Sequence, residues 1–553
     1  MYKAMISTGG MLERKFNKYT LNAKEINKKV LFNILNKNKE SEYGKRYRFD
    51  SITSINDYKE KVPITDYLSY EEYINEMLKG TRGILVNDKV EYFAHTSGTT
   101  GKQKLIPVTK KSREVGSKYM ALLIERFAYN NFRENWSYGR GLMIADTVNT
   151  SYSEGKIPIR SATSGGMDSI KFLLTKIYTS PYEVMKIKDK NTALYLHLLF
   201  ALEDKNLTYI SGVFISNVLD ALRVLEDKSE LLVKDIKKGC ISRNLNLDEN
   251  TRKVLNNYLK PNASRADELE REFSKGFKGI CKRIWPKLIY IASVTGANFS
   301  IYDDMVNYYT DSLPIYSPAY AATEAMIGIN PYVRKIKYVI IPDTAFYEFI
   351  LIEEGKKDNV KTYNINELKV GSKYEVIITN YAGLYRYKLG DVVKVVGYYN
   401  NSPEVEFLYR KNQVLNMVSE KTTEEHLKIS ISKTMKEMNT TLVDYTTLED
   451  NTITPGKYIF YMELKEKVNS NKLKQMEKTL DLQLQKANLA YERFRKNNRL
   501  SCVSISIVSK NTFDYINKYL ISKGVSKSQI KIPRVINNKK EILKILKDNS
   551  IKV

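Results

Sequence analysis

A chain of 553 residues exceeds what one ordinary hydrophobic core serves, so two or more lobes are expected. Its 42% hydrophobic and 27% charged content is that of a globular protein, and no apolar run reaches bilayer-spanning length. The net charge of +26 comes from lysine spread along the whole chain among many Asn, Ile and Tyr residues, which reads as compositional bias and not as a local nucleic-acid patch. A basic nucleic-acid or anionic-surface binding protein is the non-enzymatic alternative. Cys240, Cys281 and Cys502 are too widely spaced for a disulfide framework or a cysteine metal site. The first ten residues lack a signal-peptide core, so a cytoplasmic location is expected, with no membrane partner and no specific nucleic acid.

In chain order, the first fifty residues read as helical, with an apolar face from Leu21 to Leu35. Ser54 and Ser69 look like caps of two short helices on either side of Pro63. Val90 to Val108 then runs as apolar strand, hydroxyl- and glycine-rich loop ending in lysine, and second apolar strand. Gly98 and Gly101 free the loop backbone to approach an anion, and Ser97, Thr99, Thr100 and the lysines could converge on a phosphate. The spacing is not that of a Walker A loop, and a plain surface turn is the competing reading. The loop resembles the S-G-T-T-G-x-P-K loop of adenylate-forming enzymes, with Gln103 where proline is usual and Lys104 at the lysine position. An amphipathic helix is predicted over Lys110 to Asn130 on Val115, Tyr119, Leu122, Leu123 and Phe127.

Lys171 to Lys282 reads as mostly helical, and His197, flanked by leucines, as a packing histidine. Three histidines without a cluster do not support a histidine metal centre. Strands are expected over Lys287–Val294, Pro314–Ser317, Tyr338–Ile341, Phe346–Ile352, Lys373–Thr379 and Val392–Val396. Tyr320-Ala321-Ala322-Thr323-Glu324 puts a phenol, a hydroxyl and a carboxylate on a tight connection, where Glu324 alone would be a solvated charge. Tyr381 to Val393 is glycine-punctuated and places Asp391 before a strand, as a turn cap or as the acceptor of two ribose hydroxyls. Beyond it a strand Lys457–Leu464, a long helix Asn471–Asn497, a strand Ser501–Val508 and a helix Asn511–Ser522 are expected.

Together these segments resemble the Gretchen Hagen family of auxin-responsive acyl acid amido synthetases, within the adenylate-forming superfamily. The shared pieces are Ser97–Lys104, Val294-Thr295-Gly296, Tyr320–Glu324 with Gly328-Ile329-Asn330, Tyr347-Glu348-Phe349, and Tyr381–Asp391. They continue through Phe407-Leu408-Tyr409-Arg410 to Ser419-Glu420-Lys421-Thr422, and Ser528 to Arg534. The resemblance implies an α/β N-terminal domain over 1–410, a hinge over 411–424 and a mobile α+β C-terminal domain over 425–553. It implies ATP and Mg2+ as cofactors, and a monomer that joins a small carboxylic acid to an amine, in the first place an amino acid. Ser97, Gly98, Thr99, Thr100, Gly101 and Lys104 would hold phosphates, Tyr320 and Thr323 would lie beside the adenosine and α-phosphate, and Asp391 would take the ribose. Glu324 would ligate the metal. Arg410 and Lys421, flanking the hinge, and Lys531 of the mobile domain would form the catalytic set, whereas in a lysine-rich tail Lys531 would otherwise read as solvated. The departures are Gln103, and Ala322 where serine is frequent. An acyl-coenzyme A ligase of the same superfamily is the alternative.

Overall fold

The computed structural model describes residues 2–95, 104–147, 149–295, 302–352, 360–411, 415, 417–418, 420, 422–523, 525, 530–536 and 540–551. The chain opens on helices Tyr2–Leu21 and Ala23–Asn38, the second burying Val30, Leu31, Ile34 and Leu35 at helical spacing. Ser54 caps the helix Ile55–Lys61 by accepting from the Asp57 N–H. Ser69 caps nothing: it sits inside a short 3-10 turn, Leu68–Tyr70, that leads into Glu71–Leu78, and its own N–H donates to Asp66.

The expected α/β architecture is present, but its largest sheet is antiparallel. A small sheet pairs Val90–His95 with Leu105–Thr109 and with Pro158–Arg160, whose other neighbour is Asn149–Tyr152. A parallel sheet follows the order Gly141–Ile144, Tyr209–Phe214, Tyr290–Val294, Ile315–Tyr316, with the buried helices Lys190–Glu203 and Ile215–Asp227 packed in its core. Eight strands between Ala319 and Arg410 form the antiparallel sheet, and the N-terminal helices close over one part of it. The C-terminal part is α+β. Leu442–Asp450, Lys457–Leu464 and Ser504–Ile507 form a mixed sheet, packed on Glu424–Glu437 and Ser470–Ala487.

Several elements differ from expectation for local reasons. Lys110 to Phe132 is helical, but Tyr119–Leu123 is a π-helical segment. The wider turn rotates the helix beyond it, so Ile124 and Ala128 face the core and Leu122 is only half-buried. The long C-terminal helix is two, Ser470–Ala487 and Leu489–Lys496, because the Asn488 side chain accepts from the Ala490 and Tyr491 N–H groups and starts a new helix. The strand expected to begin at Lys287 begins at Tyr290, and strands Tyr209–Phe214 and Leu442–Asp450 interrupt regions read as helical or left unassigned. Asp391 does not precede a strand; it lies within Tyr387–Tyr399, where Gly390 at φ 78° and a bulge at Val392/Val393 let the ladder continue through the glycine.

Candidate functional site

Ser97, Gly98, Thr99, Thr100 and Gly101, with Gln103, lie outside the described residues, as does Lys421. The strands flanking the loop are paired up to His95 opposite Leu105, and Phe93, Ala94 and Ile106 bury that pairing in the core. Lys104 is described. Its ammonium donates to the Tyr387 hydroxyl at 3.4 Å and lies 5.5 Å from the centre of the Tyr67 ring. Burial lowers its pKa, opposed by the nearby Glu324 carboxylate.

The antiparallel sheet assembles the rest. Asp391 and Arg410 sit directly opposite each other on the adjacent strands Tyr387–Tyr399 and Ser402–Arg410. The Arg410 Nε donates to Asp391 Oδ1 at 2.7 Å. Tyr320, on the edge strand Ala319–Ala321, donates its phenol to Asp391 Oδ2 at 2.9 Å. Tyr320 is several strands away in the sheet order, yet its ring lies 5.8 Å from that of Phe407 and 5.9 Å from that of Tyr338. The sheet therefore closes back on itself here, as strongly twisted sheets do. Asp391 is 1% exposed, and each of its oxygens keeps a lone pair beyond the bonds described.

Ala319–Ala321 and Met326–Ile329 form a hairpin with Thr323 and Glu324, both half-buried, in its turn. Asn380 fixes the turn by donating to the Glu324 carbonyl at 2.8 Å. Glu324 Oε1 receives one long bond, 3.5 Å, from the Tyr387 hydroxyl. Although Glu324 retains some exposed area, the protein around it raises its carboxyl pKa by burial, opposed by Arg410 and Lys104. It is thus an oxygen donor with unused lone pairs, a group that can share a hard divalent cation with other ligands. Among the described residues no group of three or more His, Cys, Asp or Glu comes together as a metal cage.

From the C-terminal part, Lys531 reaches the same cluster. Its ammonium is 3.9 Å from Glu424 Oε2, and Arg410 and Asp391 both act on its charge. Burial lowers the Lys531 pKa, and Glu424 opposes that shift. The Glu424 carboxyl, itself buried, is pushed upward by burial and held back by Lys531, Arg534 and Arg410. Glu324, Asp391, Arg410, Lys104 and Lys531 thus form one electrostatic unit drawn from four remote stretches of sequence.

Two residues that contact this unit, Tyr387 and Glu424, were not singled out by sequence reasoning. Tyr387 lies inside a motif already recognised, so its hydroxyl was within reach of inspection. Glu424 is one acidic residue at the start of a helix, indistinguishable in sequence from an ordinary dipole-favoured glutamate. His197 and His426 are structural. His197 is buried, with Nδ1 2.8 Å from Ser180 Oγ, and burial pushes it down to about 4. His426 completes a capping box with Thr423, its ring Nδ1 accepting from the Thr423 N–H.

Comparison with known proteins matches the GH3 family N-terminal domain over residues 12–315, the central domain over 338–410 and the C-terminal domain over 425–540. The 4-substituted benzoates-glutamate ligase GH3.12 of Arabidopsis thaliana is 30% identical over 98% of this chain and 97% of its own. The indole-3-acetic acid-amido synthetase GH3.6 of the same plant is 28% identical over 96% of this chain and 92% of its own. A solved GH3.15 acyl acid amido synthetase superposes with a TM-score of 0.87 at 27% identity, covering 99% of this chain and 97% of that one.

Proposed function

We propose, from the premise that the chain belongs to the GH3 family, that it is an acyl acid amido synthetase: a ligase that activates a carboxylic acid with ATP and passes the acyl group to an amino acid. Relatives named as acid–amino acid ligases over nearly the whole length support the reaction class. The observation that carries the reading to these residues is the convergence of Lys104, Glu324, Asp391, Arg410 and Lys531 on one place.

A free carboxylate does not acylate an amine, because its leaving group would be oxide or hydroxide. In the first half-reaction a carboxylate oxygen bonds to the α-phosphorus of ATP while the bond to pyrophosphate breaks. Charge gathers on the phosphoryl oxygens, and Lys104 with Lys531 supplies fixed positive charge for it. Asp391, held by Arg410 and Tyr320, offers its remaining lone pairs to the ribose hydroxyls, and Tyr320 and Thr323 line the adenosine side. Ser97, Gly98, Thr99, Thr100 and Gly101 form the phosphate loop. Mg2+, held by Glu324, would neutralise phosphate charge. In the second half-reaction the neutral amine attacks the acyl carbon, the bond to AMP breaks and the amine gives up a proton. No enzyme-bound acyl group is needed.

The part through residue 410 is proposed as one domain and the part from 425 as a mobile second, with a hinge over 411–424 that begins after Arg410 and contains Lys421. A cytoplasmic monomer is the proposed state; no described helix is long and apolar enough to cross a membrane. The test is ATP–pyrophosphate exchange across a panel of aryl, indolyl and fatty acids. Acid-dependent exchange supports the reading. Salt-sensitive polyanion binding without exchange for any acid replaces it with a basic binding protein.

A further inference from the structure

We infer that Tyr302 is a positioning residue that clasps Arg534 and Asp444 of the C-terminal part, and so holds Lys531 in register for acid activation but not for amide formation. Tyr302 belongs to the N-terminal part. It directly precedes the helix Asp303–Thr310, and Asp303 is tied to the end of the parallel sheet by a 2.8 Å bond from the Thr295 hydroxyl. Its phenol donates to Asp444 Oδ2 at 3.1 Å and accepts from Arg534 Nη2. Arg534 also donates through Nη1 to Asp444 Oδ1 and, at 2.6 Å, to the Tyr445 carbonyl. Its guanidinium lies near two rings, 4.6 Å from the centre of Tyr445 and 5.5 Å from that of Tyr302. All three side chains are buried. A water-exposed ion pair would grip weakly, whereas a buried, charge-assisted cluster with two ring contacts has few competing arrangements.

The clasp reaches Lys531 through the backbone. Residues 530–536 run alongside Leu442–Asp450: the Thr447 N–H donates to the Arg534 carbonyl at 2.9 Å, and the Ile536 N–H to the Thr447 carbonyl at 2.8 Å. The Thr446 hydroxyl also holds the Pro533 carbonyl. Lys531 stands three residues before Arg534 on this extended segment, so fixing Arg534 against Tyr302 fixes how far Lys531 projects toward Arg410 and Asp391. Rotation of the C-terminal part would have to separate Tyr302 from Arg534 and Asp444 while leaving the Arg534–Asp444 pair whole, since both travel together.

The inference rests on the two-step reading above, so its test carries one readout that does not need activity. In the full chain, Tyr302→Phe keeps the ring and removes the donor to Asp444 and the acceptor for Arg534. Acid-dependent ATP–pyrophosphate exchange should lose at least about tenfold in kcat, the equivalent of one of the two charge-assisted bonds removed, with KM for ATP unchanged within about twofold. Amide formation from a supplied acyl-adenylate and amino acid should be unchanged or faster. Tyr302→Ala should lose about a hundredfold in exchange with the same sparing of the second step, the pattern expected of Lys531→Ala. Loss of both half-reactions in equal measure would mean a merely structural tyrosine, and loss of neither would mean no clasp; either overturns the inference. Limited proteolysis between residues 411 and 425 supplies the independent arm. Tyr302→Phe, which keeps the buried ring, should be cut at least about tenfold faster than the parent chain, whether or not any acid supports exchange. Equal cutting rates overturn the clasp, whereas a parent chain without exchange overturns only the functional reading.

Discussion

Asp391→Asn changes one atom and removes one charge, at a residue whose two oxygens already bind Arg410 and Tyr320. Stranding one member of a fully buried pair costs about 3–5 kcal/mol. Here the Arg410 side chain is 39% exposed, so water takes up part of the freed charge and the stability loss should be nearer about 1–2 kcal/mol. Nucleotide binding should suffer separately. Hydrogen bonds from ribose hydroxyls to a carboxylate are charge-assisted and worth about 1.5–3 kcal/mol together, so KM for ATP should rise roughly ten- to hundredfold. The change should fall on KM, because the ribose contact is made equally in the ground state and the transition state. Exchange measured against ATP concentration, with urea denaturation of the same preparation, reads both quantities. A KM for ATP within about twofold of the parent value, in a folded variant, would refute the ribose assignment and leave Asp391 as a brace for Arg410.

Glu324→Gln keeps the size of the side chain and removes the charge offered to Mg2+, so exchange should fall at least about a hundredfold at limiting metal and recover in part as Mg2+ is raised; a loss indifferent to metal concentration would argue against ligation. Arg386 and Glu348 are both buried, and Arg386 donates to both Glu348 oxygens and, through Nη1, to the Lys59 and Val62 carbonyls at 2.6 and 2.7 Å. Arg386→Met should therefore cost about 3–5 kcal/mol in urea denaturation, and a loss below about 1 kcal/mol would show the pair to be dispensable. His197 titrates near 6.5 when unfolded and about 4 when folded, so between those values the unfolded chain binds more protons. Its contribution is complete above pH 6.5 and is lost as pH falls toward 4, about 2 kcal/mol between pH 7 and 5. Glu125, pushed up to about 7 by burial, acts in the opposite direction, favouring the folded chain as pH falls. The difference between the parent chain and His197→Asn cancels Glu125, and should shift toward the variant by about 2 kcal/mol from pH 7 to 5; a pH-independent difference would contradict the assignment.

Much of the candidate site was nameable from sequence because its parts are short motifs that, taken in order, resemble a family whose chemistry needs phosphate, ribose and metal contacts. What periodicity could not show is how those parts meet. Asp391 read as a residue before a strand because a glycine and a bulge look like a break in one dimension, although in the sheet they continue the ladder and set Asp391 opposite Arg410. The π-segment at Tyr119–Leu123 likewise adds width that a 3.6-residue count assigns to the wrong face. The motifs Tyr347-Glu348-Phe349 and Tyr381–Asp391 contain, besides site residues, the Glu348–Arg386 brace that holds one against the other. Tyr302 carries no local signal at all, since its partners lie far along the chain and it is ordinary until they are adjacent.

The most direct test of the central claim is the fate of the acyl group. With ATP, Mg2+ and an acid that supports exchange, the chain is given each of the twenty amino acids or coenzyme A, and AMP release and acyl product are measured together. At least one amino acid should accelerate AMP release and yield an N-acyl amino acid, while coenzyme A should do neither. Formation of a coenzyme A thioester with no amide from any amino acid would contradict the account and make the chain an acyl-coenzyme A ligase.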